Sequence, residues 1–270
     1  MAHSYQPPLP PRWNRNIRHG WVEFKSGADD IRGYLARPRA AAKSPAIVLV
    51  HENIGVIPHR REVTRKLAEA GFGALTVDLY SRVGGQPPQD FKSPEERRQK
   101  AFLAANDEQA IGDLEAGCRY LKTLDGVDGG RIGALGYCMG GGTLFAWMCG
   151  ANASVKAAVA YYGTANVAAS SRPDGKALSR MSVASKLQVP LQVHHGEADQ
   201  AVPFADAKAL VEALKKSGQP VEFHSYSGAN HAFEDDTHPN YHAEATAKAW
   251  ERMLAFFGRH LGTRKAAAAE

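Results

Sequence analysis

The feature that most constrains this chain is a repeated alternation between short, uninterrupted apolar runs and longer segments with helical spacing. Ala46-Ile47-Val48-Leu49-Val50 is apolar at every position, as a strand is when both of its faces are buried. After it, Val63, Leu67 and Ala70 recur at helical intervals and the pattern stops at Gly71. Residues 74–77 form a second such strand, the polar stretch 93–124 reads as helix, and residues 131–135 form a third strand. Residues 155–161 and 189–193 add two more, with Pro190 tolerable at a strand's start. Ala207, Leu210, Val211 and Leu214 make a helical stripe ended by Gly218, and residues 221–226 a further strand. Trp250, Met253, Leu254, Phe257 and Leu261 form the apolar face of the last helix. Ahead of all this, 21–25 and 31–35 alternate apolar with polar, as an antiparallel entry hairpin does.

Strands alternating with helices imply a mostly parallel central sheet with helices on both faces, an α/β fold. The pattern predicts a single domain over 17–261, a flexible arm over 1–16 and a flexible tail over 262–270. In such sheets ligands bind outside the carboxyl ends of the strands.

Composition narrows the functional classes. The net charge of +5 is mild, and basic residues are interspersed with acids, as in Arg60-Arg61-Glu62. That suits a solvated surface better than a nucleic-acid stripe. No run approaches the ~18 apolar residues of a membrane span, and residues 1–15 lack the apolar core of a secretory signal. Three cysteines without CxxC spacing fit a reducing cytoplasm. The expected partner is a small molecule, with no nucleic acid, no membrane and no cofactor; monomer and homodimer both stay open.

Three chemically capable residues fall at strand ends. Gly136-Tyr137-Cys138-Met139-Gly140-Gly141 sits where a buried strand gives way to a helix, the context of a G-x-S-x-G nucleophile elbow with sulfur in place of oxygen. Glycines flank the nucleophile because side chains there would collide with the tight turn or its neighbours. The positive end of the helix dipole favours a negative sulfur. Cys118 and Cys149 lack this frame and read as structural. Asp199 in His195-Gly196-Glu197-Ala198-Asp199 and His231 in Asn230-His231-Ala232-Phe233 follow in the order nucleophile, acid, histidine. Glu197 is a rival to Asp199, and Asp235 or Asp236 is also within sequence reach of His231. His194 and His195, neighbours on a strand, point to opposite faces and cannot share a metal ion, so no metal site is expected.

Together with His51-Glu52-Asn53-Ile54-Gly55 and Asp78-Leu79-Tyr80-Ser81-Arg82, these motifs resemble the dienelactone hydrolase (carboxymethylenebutenolidase) family over about residues 20–260. The resemblance implies an α/β-hydrolase fold and a cysteine-nucleophile hydrolase that opens enol lactones or activated esters through a thioester. It implies that Glu52 helps switch the Cys138 thiol to thiolate, that the backbone N–H groups of Asn53 and Met139 form the oxyanion hole, and that Arg82 binds a substrate carboxylate. Tyr162 is expected to line the pocket. The family's better-known members carry a second carboxylate-binding arginine four residues beyond the histidine; this chain has Asp235 there, which puts a diacid-derived lactone in question. The competing readings are a general small-molecule carboxylesterase and a non-catalytic thiol-bearing protein on the same fold.

Overall fold

The chain enters through a hairpin, β1 (Ile17–Ser26) and β2 (Asp29–Pro38), with full antiparallel register from Ile17↔Pro38 to Ser26↔Asp29. Its two-residue turn places Gly27 at φ +60°, which the first central position of a type II′ hairpin requires. The computed structural model describes residues 16–39, 42–87, 89–90, 92–150, 154–167, 172 and 176–262. Apart from Asn16 and Gly262, the expected arm and tail therefore lie outside the described residues.

After the hairpin come β3 (Ser44–Val50), α1 (Pro58–Glu69), β4 (Gly73–Val77), α2 (Pro94–Ala104), α3 (Asp107–Thr123) and β5 (Val127–Tyr137). They are followed by α4 (Met139–Cys149), β6 (Ala158–Tyr161), a small antiparallel ribbon of β7 (Asn166–Val167) and β8 (Leu178–Ser179), and β9 (Leu191–Gly196). The chain closes with α5 (Phe204–Lys215), β10 (Val221–Tyr226) and α6 (Ala243–Leu261).

Eight strands form one sheet in the order β1-β2-β4-β3-β5-β6-β9-β10. Only the β1–β2 and β2–β4 pairs are antiparallel; from β4 to β10 every pair is parallel. This is the α/β-hydrolase arrangement, with the antiparallel hairpin at one edge.

Two cores sandwich the sheet because its buried strands alternate by single residues. Val48 and Val50 face Leu114, Leu144, Phe145 and Leu210 of α3, α4 and α5. Ile47 and Leu49 face Val63 and Leu67 of α1 and Met253 and Phe257 of α6.

The structure corrects several segment bounds, among them the strand expected over 155–161, which spans Ala158–Tyr161. The stretch 93–124 is two helices, because Asn106 starts α3 afresh by accepting a hydrogen bond from Gln109 N–H (3.1 Å), an N-cap. β9 begins after Pro190, which has no N–H to donate. β5 starts at Val127, four residues before the apolar run that marks it.

Candidate active site

Cys138 stands at the junction of β5 and α4 with φ 51° and ψ −114°. A non-glycine residue in this region costs about 1–3 kcal/mol and persists only where its surroundings hold it. Here the glycines do so by letting backbones touch. A Cβ on Gly136 would lie 2.5 Å from the Gly140 carbonyl oxygen, and one on Gly140 would lie 2.4 Å from that of Val50. The first turn of α4 is thereby pressed against the end of β3, beside Glu52 and Asn53.

Asp199 follows β9, and its carboxylate oxygens do separate jobs. Oδ1 accepts from the backbone N–H groups of Ala201 (2.9 Å) and Val202 (2.8 Å). Oδ2 lies 2.9 Å from His231 Nδ1. Burial alone would raise the Asp199 pKa, but the His231 and Val202 hydrogen bonds outweigh it and hold the carboxyl below its ordinary value. Asp199 therefore stays ionised and accepts Nδ1–H, which leaves Nε2 of His231 for other work. Burial opposes charge on His231 too, but hydrogen bonds to Asp199 and Cys138 raise it to about 10. The imidazole is thus hydrogen-bonded to the acid, with its charge favoured by the thiol as well. Glu197 instead accepts from Ser225 Oγ (2.7 Å), and Asp235 from the backbone and hydroxyl of Thr237 (2.8 and 2.6 Å).

Asn230 ties these loops together, a role its place in a polar loop does not announce. Its Oδ1 accepts from the backbone N–H of His231 (2.7 Å) and of Gln200 (3.1 Å), so the histidine loop and the aspartate loop share one anchor. Tyr80 is a second such anchor: its hydroxyl donates to the Asn53 carbonyl (3.0 Å) and lies 3.9 Å from Met139 Sδ. It bridges the two residues expected to supply oxyanion donors. Met139 is the first residue of α4, so its N–H has no partner within the helix.

Glu52 is held by Arg60. Both carboxylate oxygens accept from the guanidinium, at 3.1 and 2.7 Å, and Arg60 also donates to Glu234 (2.9 Å). The guanidinium stacks 3.4 Å from the centroid of Tyr137, the residue before Cys138. Arg60, whose charged neighbours Arg61 and Glu62 suit a solvated surface, is fully buried. Its spacing from Val63 and Leu67 put it on the apolar stripe of α1, a signal its charge concealed. Glu234 extends the network by accepting from Tyr162 Oη (2.8 Å) and contacting His59 Nε2 (3.0 Å). Nδ1 of His59 lies 3.4 Å from Asp235 and 3.0 Å from Asp236, a histidine–carboxylate cluster that reads as ion pairing.

Tyr162 is buried and packs its ring 4.7 Å from that of His231, so it backs the imidazole. Arg82 sends Nη1 and Nη2 to the buried carboxylate of Asp113 (2.7 and 3.0 Å) and Nε to Asp29 (2.6 Å). A cavity of about 280 Å³ between α1 and α6 is lined by His59, Lys66, Tyr137, Glu234 and Trp250 among others, and by none of Cys138, Asp199 and His231.

A family profile described as "Dienelactone hydrolase family" matches residues 31–261. The chain belongs to the dienelactone hydrolase family. A Bradyrhizobium protein named for 2-oxo-3-(5-oxofuran-2-ylidene)propanoate lactonase activity is 30% identical over 249 residues, 91% of this chain and 96% of that protein. A Methylorubrum extorquens protein named for carboxymethylenebutenolidase activity is 33% identical over 231 residues, 85% of this chain and 77% of that protein. Among solved structures, a dienelactone hydrolase family protein from Klebsiella pneumoniae superposes with a TM-score of 0.79 at 28% identity, covering 90% of this chain and 99% of that one. As a dienelactone hydrolase family member, the chain is a hydrolase of ester or lactone bonds. Among the described residues no helix is long and apolar enough to cross a membrane.

Proposed function

We propose that this dienelactone hydrolase family member opens enol lactones or activated esters with Cys138 as nucleophile, His231 as general base and acid, and Asp199 as the group that orients it. The observation that carries this reading is the hydrogen bond between His231 and a buried, ionised aspartate, together with a strained, glycine-walled thiol that favours charge on the same imidazole.

The reaction would begin with transfer of the thiol proton to Nε2 of His231 and attack of sulfur on the carbonyl carbon. The developing oxyanion would be met by the backbone N–H groups of Asn53 and Met139. Collapse expels the enol or alcohol oxygen, protonated by His231, and leaves a thioester on sulfur. Water, deprotonated by His231, then releases the acid and restores the thiol. Because a thiolate is itself a good leaving group, the first intermediate goes forward only when the other leaving group competes. That favours enol lactones and aryl esters over alkyl esters.

The test is turnover of 4-nitrophenyl acetate. The wild-type chain is expected to release nitrophenol and Cys138→Ala to lose essentially all of that activity while keeping its far-ultraviolet dichroism. Retained turnover in a folded Cys138→Ala chain contradicts the reading, as does equal turnover of ethyl and aryl esters by the wild type.

A further inference from the structure

We infer that the natural substrate of this site carries no carboxylate of its own, and that the Cys138 proton passes to His231 without a carboxylate ligand to trigger it. This rests on the cysteine-nucleophile reading above and narrows its substrate class.

Among the described residues, Arg82, the arginine expected to bind a substrate carboxylate, and the buried Arg60 are both already engaged. Arg82 has all three of its guanidinium nitrogens on Asp29 and Asp113, and the Asp113 side chain is only 1% exposed. Releasing Arg82 to a ligand would leave a buried carboxylate unpaired, an uncompensated charge away from water. Arg60 is enclosed from three sides by Glu52, Glu234 and the Tyr137 ring. Position 235, where a second arginine would stand, holds an aspartate directed at His59 and Thr237.

The local charge points the same way. Glu52, Glu234, Asp235 and Asp236 surround Arg60 and His59, so carboxylates outnumber cations by two even with His59 protonated. Such a cluster repels an approaching anion.

The same contacts fix who takes the proton. Both oxygens of Glu52 are occupied by Arg60, and moving Glu52 toward sulfur would break a bidentate buried pair. Nε2 of His231 is free of Asp199, which holds Nδ1. The Sγ–H bond therefore breaks toward His231: the proton goes to Nε2 and the electron pair stays on sulfur, with no ligand required.

Two measurements on the full-length protein test this. The first compares kcat/KM for a neutral five-membered enol lactone and for the same lactone bearing a carboxymethylene group. The neutral lactone is expected to be cleaved faster; preference for the carboxylated one overturns the inference. The second follows iodoacetamide alkylation of Cys138 at neutral pH, with and without the carboxylated lactone's saturated, non-hydrolysable carbocyclic analogue. The alkylation rate is expected to be undiminished in the free enzyme; acceleration above threefold by the analogue overturns the inference. Arg82→Met should change the ratio of the two lactones by less than threefold, and a larger loss confined to the carboxylated lactone counts against it. Loss of 4-nitrophenyl acetate turnover in Cys138→Ala is the separate control: if that variant still turns over, the parent reading has failed rather than the charge argument alone.

Discussion

At Cys138 the backbone is strained for the sake of where it puts sulfur. At φ 51° a glycine would relieve what a cysteine cannot. Cys138→Gly is therefore expected to stabilise the fold by about 1 kcal/mol and raise Tm by a few degrees while abolishing turnover. An unchanged or lowered Tm in calorimetry would mean that the elbow is not strained. His231 carries a pH signature of its own. Its folded value of about 10 lies above the ordinary 6.5. Its contribution to stability is thus complete below about pH 6.5 and is lost as pH rises through 10. The Tm gap between wild type and His231→Gln should shrink across that window, and a gap that widens with pH would contradict the assignment.

Among the elements, α1 and the loop between β10 and α6 are joined through charge inside the protein. Arg60 on α1 spans Glu52 after β3 and Glu234 beyond β10. Removing one partner of a buried pair leaves the other charge uncompensated. Arg60→Met is expected to lower unfolding stability by about 3–5 kcal/mol in urea titrations; a loss below about 1 kcal/mol would show that the carboxylates relax into solvent. Burial alone would raise Glu234, but Arg60 and His59 outweigh it and draw it down to about 2. Its contribution is present above about pH 4.5 and is lost as pH falls through 2. The stability difference between wild type and Glu234→Gln should be full at pH 6 and fade on acidification.

Over the whole molecule, much was legible because apolar periodicity and chain order carry it. Continuous five-residue runs such as 46–50 fit strands buried on both faces, and in the structure they build a parallel sheet. The glycine frame around Cys138 and the order Cys138, Asp199, His231 put the candidate residues at strand ends, where the structure joins His231 to Asp199. What stayed hidden lay in side chains whose role depends on partners remote in sequence. Arg60 reads as surface until Glu234, 174 positions away, is folded against it. Arg82 reads as an open cation until Asp113 closes on it. Asn230 reads as a loop residue until it is seen to hold two loops at once. Asn106 caps α3 inside a polar stretch whose uniform character masks the change of helix.

The central claim is covalent chemistry at one sulfur, and rapid acid quench of the enzyme during turnover of 4-nitrophenyl acetate, followed by peptide mass analysis, tests it directly. A mass increase of one acetyl group is expected on the peptide containing Cys138, removed by neutral hydroxylamine as a thioester is, and absent from Cys138→Ala. Turnover with no acetylated intermediate in wild type even when hydrolysis is slowed by Asp199→Asn, or with the acetyl group on another residue, would contradict it.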